Sequence, residues 1–185
     1  VNYQFFWKRF TFLGETALDK QGRIATMNML RYSPKGSFQL VVMNRFYDVA
    51  YQSMYANSIG EGSSVQNESG FYIGLETNIL RYFKLNAYGD FFYFPWKKYQ
   101  VSKNGTHGFD GVFQLSFSPR YELDMFIRYR YKNKYKDYTP EGGEKLTLPY
   151  IQQKGRYQLS YSPVNELVLK TSVDVVHNAY QQKEP

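Results

Sequence analysis

His107 and His177 are the two histidines of the chain, and cysteine is absent. That removes thiolate nucleophiles, disulfides and thiolate metal sites together. A Ser–His–Asp site needs a serine beside one imidazole and an acid behind it. Ser172 and Asp174 lie close to His177 in sequence, but strand alternation sends them to the opposite face. His107-Gly108-Phe109-Asp110 sets one carboxylate beside its histidine. Other acids, such as Glu76, Asp90 and Asp174, are dispersed over separate segments, whereas calcium needs several converging oxygens. No P-loop, Gly-x-Gly-x-x-Gly fingerprint or zinc spacing occurs. These residues give no reason to expect an enzyme, a cofactor or a metal.

A stripe of cations is more suggestive: Arg128, Arg130, Lys132 and Lys134 alternate through one segment, and Arg156 and Lys170 are expected to join them from neighbouring strands. Lining a passage, such a stripe would favour anions or a chain of phosphates. The plainer reading is an internal lattice in which the cations pair with Glu76, Asp90, Glu122, Asp124 and Asp174. That reading is favoured, because the acids fall on the same face. Lys plus Arg number 23 against 16 Asp plus Glu, a formal charge of +7. The excess includes Lys97, Lys98 and Lys136 in expected loops, where they could meet an anionic surface.

The elements that hold these residues are strands. Aromatic residues make up 19% of the 185 residues, which excludes disorder and favours a pleated, half-buried surface. Across 122–135, Leu123, Met125, Ile127, Tyr129 and Tyr131 oppose Glu122, Asp124, Phe126, Arg128, Arg130, Lys132 and Lys134. A period of two puts every charge on one side, and a helix would smear them around its circumference. The same alternation recurs along the chain and predicts nine strands, at 3–18, 23–32, 37–48, 70–79, 84–96, 110–118, 122–135, 155–162 and 166–178. The faces of 3–18 resist assignment. Turns between strands leave no room for crossover helices, so the sheet must be antiparallel. No apolar run is long enough for a transmembrane helix.

The connections differ in length. Ser33–Gly36, Leu80–Phe83, Ser118–Tyr121 and Ser162–Asn165 read as tight turns at one end of an up-and-down meander. At the other end, 49–69, 97–109 and 136–154 read as long loops, with only 19–22 short. Short turns at one end and long loops at the other describe a transmembrane β-barrel of outer-membrane type. Its outward face would be apolar, with Tyr and Phe near the strand ends. A soluble extracytoplasmic β-barrel or sandwich that binds a ligand or partner is the alternative.

Certain motifs add to this pattern. Phe12-Leu13-Gly14-Glu15-Thr16-Ala17-Leu18-Asp19 with Gly22, Arg45-Phe46-Tyr47 with Tyr51 and Tyr55, and Gly60-Glu61-Gly62-Ser63 form one group. Asn67-Glu68 with Gly70, Tyr72 and Gly74, and the run Asp90–Trp96, form another. Together they resemble the barrel region of Bacteroidota outer-membrane proteins that also carry a helix-hairpin-helix domain similar to a competence DNA-uptake protein. The resemblance spans about residues 10–175. It implies an outer-membrane location; the barrel pattern itself suggests a passage or docking scaffold in an envelope assembly, and nucleic acid or another anionic polymer as cargo is implied only by the helix-hairpin-helix part. The helix-hairpin-helix part is not in this sequence. Gly14, Gly70, Gly74 and Gly89 are expected to mark bends or close packing.

The chain begins Val1-Asn2-Tyr3 and reads as a piece of a longer mature protein, residues 1–185 forming one incomplete barrel segment. Nine strands would put the first and last parallel, unable to close by antiparallel pairing. An edge left in lipid costs several kcal/mol per unpaired group. Further strands, from this protein or another envelope protein, are therefore expected at the edges.

Overall fold

The structure, a computed structural model, describes residues 1–34, 36–53, 58–140, 143–164 and 166–181. Among these the regular structure is ten strands: β1 (Asn2–Trp7), β2 (Phe10–Leu18), β3 (Ile24–Tyr32), β4 (Gln39–Tyr47), β5 (Glu68–Leu80), β6 (Phe83–Phe94), β7 (Thr106–Arg120), β8 (Leu123–Tyr138), β9 (Leu146–Val164) and β10 (Leu167–Tyr180). They form one sheet in the order β1 to β10, every neighbouring pair antiparallel. The expected up-and-down antiparallel architecture is therefore present. The sheet is not closed: β1 pairs only with β2, and β10 only with β9.

The strand count is a correction, ten rather than nine. The segment 3–18 is a hairpin that turns at Lys8 and Arg9, with Trp7 opposite Phe10. Lys8 takes a left-handed backbone (φ 52°). A two-residue hairpin needs positive φ in its turn, and lysine does not advertise one as Asn-Gly would. Unbroken aromatic sequence on both sides hid the reversal and made the faces unreadable. The parity argument falls with the count, because β1 and β10 run antiparallel to each other.

The expected loop at 136–154 shrinks to 139–145, since β8 and β9 stay paired as far as Tyr138 and Leu146. Asp137 holds that extension. It accepts hydrogen bonds from Thr147 Oγ1 (2.7 Å) and Ser102 (N 2.9 Å, Oγ 2.7 Å), and pairs with Lys145 (2.8 Å). Among the described residues, those between β4 and β5 and at 95–105 keep the expected long-loop character, and the connections at 81–82 and 121–122 are short as expected.

Register fixes two faces. Phe71, Phe91, Phe109 and Asn133 form one rung across β5–β8, and Asn28 and Asn44 extend it to β3 and β4. Two residues further along, Ile73, Gly89, Gly111 and Tyr131 form the next. Apart from polar residues such as Asn28, Asn44 and Asn133, the outward positions are largely apolar, and they are open; Ile127 is 61% exposed and Val173 55%. Aromatic rings gather at both ends. Phe83 packs on Phe117 (4.5 Å between centroids) and Phe10 on Tyr32 (4.7 Å) at the short-turn end. Phe91 packs on Phe109 (4.7 Å) towards the long loops. Between these belts the outward register positions of β1–β10 carry no Asp, Glu, Lys or Arg. The charges lie on the opposite, inner face.

The sheet curls towards that inner face. One groove is lined jointly by residues of β4, β5, β6, β7 and β8. Those strands would span about 19 Å if flat.

Candidate functional site

The inner face near the long loops is built around Arg45 of β4. Arg45 sits opposite Gly70 of β5, and the guanidinium lies across that glycine. A Cβ at Gly70 would fall 2.2 Å from Arg45 Cζ. The missing side chain lets Arg45 pass over β5 and reach β6. There it forks onto Asp90 (Nη1–Oδ1 2.7 Å, Nη2–Oδ2 3.1 Å). Its Nε donates to Glu68 Oε1 at 2.7 Å. Arg45 is 2% exposed and Glu68 1%. Buried charges persist only when paired and hydrogen-bonded, and the Glu68 carboxylate is filled. It also accepts the backbone N–H of Glu61 (3.0 Å to each oxygen) and of Gly62 (3.1 Å).

Those two backbone bonds draw the β4–β5 loop inward. Glu61 then reaches across the face to β8, where its carboxylate takes Lys132 Nζ (2.6 Å) and Lys134 Nζ (2.9 Å). Lys132 also lies 3.4 Å from Asp110 of β7, and Arg130 grips Asp110 with Nε (2.8 Å) and Nη2. Arg45, Arg130, Lys132 and Lys134 thus meet Glu61, Glu68, Asp90 and Asp110 in one lattice without excess charge. Burial alone would raise the Glu61 carboxyl, but the two ammonium groups hold it below the usual carboxylate range.

A second tie joins the two long loops. Asn67 adopts a left-handed backbone (φ 54°), which asparagine tolerates. Its side chain accepts Trp96 N–H (2.8 Å) and donates to the carbonyls of Trp96 (3.0 Å) and Lys97 (3.1 Å). Lys98 sits 3.9 Å over the Phe94 ring, and burial pushes its ammonium pKa down.

The expected stripe lies on the inner face in register: Arg128 is opposite Arg156, and Lys170 opposite Ser160. The pairing differs from the expected one. Arg130, Lys132 and Lys134 are met by Asp110 and Glu61, neither of which stood among the expected acids. Asp90 serves Arg45, Glu76 pairs with Lys84 (2.7 Å), and Asp174 forks with Arg156 (2.6 and 3.0 Å) in the open. Asp124 accepts from Ser118 Oγ, and Glu122 falls in the β7–β8 turn outside the strands. Arg128 hydrogen-bonds to Gln114 (2.7 Å) and lies over the Phe126 ring (5.1 Å), and neither it nor Lys170 has an ion-pair partner among the described residues. Among the described residues no group of three or more His, Asp and Glu could hold a metal. His107 stacks edge-on with Tyr135 on the outward side.

Gly60-Glu61-Gly62 and Arg45 stood in the sequence only as motif residues. The clue to their role was Gly70 in a strand flanked by Glu68 and Tyr72: a gap that a long side chain from the neighbouring strand can fill. Tyr55, another motif residue, lies outside the described residues, as do position 35 within the Ser33–Gly36 turn, 141–142 within the 136–154 expectation and 165 at the end of the 162–165 expectation. No protein-family model matches the chain, and neither the curated proteins nor the solved structures yield a match.

Proposed function

We propose that this chain is a wall segment of a bacterial outer-membrane β-barrel, serving as a passage or docking scaffold in a larger envelope assembly. One observation carries the reading: an outward face without charge, bounded by aromatic belts at a membrane-like spacing. Along β6 the outward residues are Phe83, Leu85, Ala87, Gly89, Phe91 and Tyr93. Ten residues of antiparallel strand rise about 34 Å. At a tilt near 40° that is about 26 Å along the membrane normal, against an apolar band of about 25 Å in such barrels.

The long loops would face outside, where Lys97 meets lipopolysaccharide; Lys136, expected in a loop, instead lies within β8 with its ammonium over the Tyr150 ring (4.5 Å), and Lys98 is drawn over Phe94. The charge-balanced lattice braces the wall at that end. Because it neutralises Arg130, Lys132 and Lys134, the basic stripe gives little support to nucleic acid as cargo. The kinship with Bacteroidota barrels bearing a helix-hairpin-helix domain is part of this proposal. A soluble extracytoplasmic module would need a second layer over the outward face. Extraction tests the reading: the native protein should resist carbonate and high salt and require detergent to stay monodisperse. Release by carbonate as a monodisperse, detergent-free species would overturn it.

A further inference from the structure

Below the ion lattice, towards the short turns, the inner face changes chemistry. A groove of about 550 Å³ lies there, in the size range of small-molecule sites. Two rungs build it: Val41–Gly74–Tyr88–Val112–Arg130, and Gln39–Glu76–Asn86–Gln114–Arg128. Tyr72 stacks on Tyr88 across the strands, 5.5 Å between centroids at 29°. Gly74 makes room for that stack, since a Cβ there would lie 2.7 Å from the Tyr72 hydroxyl.

Much of the hydrogen-bonding capacity here is unspent. Neither phenol and neither of the amides of Gln39 and Asn86 has a side-chain partner among the described residues. Gln114 accepts Arg128 Nε (2.7 Å) and donates to Ser116 (3.1 Å). The Arg128 guanidinium lies over the Phe126 ring (5.1 Å), its terminal nitrogens have no hydrogen-bond partner, and no carboxylate answers its charge among the described residues. Glu76 is committed to Lys84, and Arg130 to Asp110.

An aromatic platform, a belt of amides and one uncompensated guanidinium form a distinctive set. Amides and phenols pair with hydroxyl groups, a ring face receives the C–H face of a sugar, and a guanidinium forks onto a carboxylate. We propose that this groove binds an acidic oligosaccharide, with Arg128 taking a sugar carboxylate and Tyr72 and Tyr88 supporting the ring. Single-stranded nucleic acid also stacks on aromatics, but it needs a track of free cations along its backbone. Here Arg130 and Arg156 beside Arg128 are already paired, which leaves Lys154 as the one neighbouring cation without an ion pair among the described residues, too few for such a track. The inference rests on the barrel reading for how the sugar reaches the groove; the groove itself is made by β4–β8.

The test uses the full chain folded in detergent micelles, titrated calorimetrically with trigalacturonate, maltotriose and hexathymidylate. Trigalacturonate should bind. Arg128→Gln should weaken it about tenfold or more, the worth of a charge-assisted fork, and leave maltotriose unchanged. Arg128→Lys should fall between, which guards against a folding defect in the first variant. Tyr88→Leu should weaken both sugars, and Lys170→Gln neither. No binding of trigalacturonate overturns the proposal, as does an equal loss in Lys170→Gln. Tighter, steeply salt-dependent binding of hexathymidylate overturns it in favour of nucleic acid. Sugar binding that survives in a protein stable without detergent would defeat the barrel reading and leave this site standing.

Discussion

Glu68→Gln is the most informative single change in the lattice. The side chain keeps its shape and loses its charge. In the wild type its two oxygens accept Arg45 Nε at 2.7 Å, Glu61 N–H at 3.0 Å and Gly62 N–H at 3.1 Å. A carboxamide has one acceptor oxygen. Turned towards Arg45, that oxygen still takes Glu61 N–H but leaves Gly62 N–H facing an NH2. Turned towards the loop, it leaves Arg45 Nε facing a donor. Each buried donor stripped of its acceptor costs about 1–3 kcal/mol. Arg45 still keeps its fork to Asp90, so the loss stays below the full 3–5 kcal/mol of breaking a buried pair. We expect about 3 kcal/mol, read as a lower urea midpoint for the protein folded in lipid vesicles, with unchanged slope. Faster proteolysis within 58–67 should accompany it, because the same carboxylate anchors that loop. Replacing both partners, Arg45→Met with Glu68→Met, should cost less than the sum of the singles. A loss under about 1 kcal/mol for Glu68→Gln, with the loop still protected, would refute the reasoning.

Gly70→Ala should disturb the same centre from the opposite side, since its Cβ would sit 2.2 Å from Arg45 Cζ; a loss of about 1–3 kcal/mol is expected, and unchanged stability would mean the guanidinium does not lie across β5. Asn67→Ala removes three hydrogen bonds and a residue suited to positive φ; about 2–4 kcal/mol of local stability should go, seen as faster hydrogen exchange at Trp96 and Lys97 with slower loss elsewhere. The Glu61 tie should depend on pH in one direction. Its carboxyl in the folded chain lies below its ordinary value, so its stabilisation is complete above the ordinary carboxylate range and disappears as pH falls through the lowered value. Protection of 58–62 from protease should thus hold at neutral pH and fade only in acid, and Glu61→Gln should abolish that acid step; a step near neutrality would contradict the pairing.

Where one face is charged and the other apolar, the strands were legible. In 122–135 the period of two separated Ile127 from Arg128, and register confirms opposite faces. The hairpin at Lys8 was not legible, because its left-handed residue is a lysine and its flanks are equally aromatic. The far extension of β8 and β9 was also hidden. Its support is the tertiary set around Asp137, with Ser102 contributed from a different loop. The candidate site was half legible. Alternation placed Arg130, Lys132 and Asp90 on one wall, but it cannot say which acid answers which cation. That choice is made by a loop: Glu61 is 71 residues from Lys132 in sequence and 2.6 Å from it in space. Arg45 went unrecognised because its neighbours Phe46 and Tyr47 mask a lone charge, and its reach depends on the absent side chain of Gly70.

Lipid contact of the outward face tests the central claim most directly. Nitroxide labels at Ile127, Val173 and Leu169 face outward, and labels at Gln114 and Ser172 face inward. In reconstituted vesicles, the account predicts high collision rates with oxygen, which concentrates in the bilayer, and low rates with a water-soluble nickel chelate at the outward three. The inward two should show low oxygen and appreciable nickel access. Outward labels shielded from both quenchers, or open to nickel alone, would contradict it.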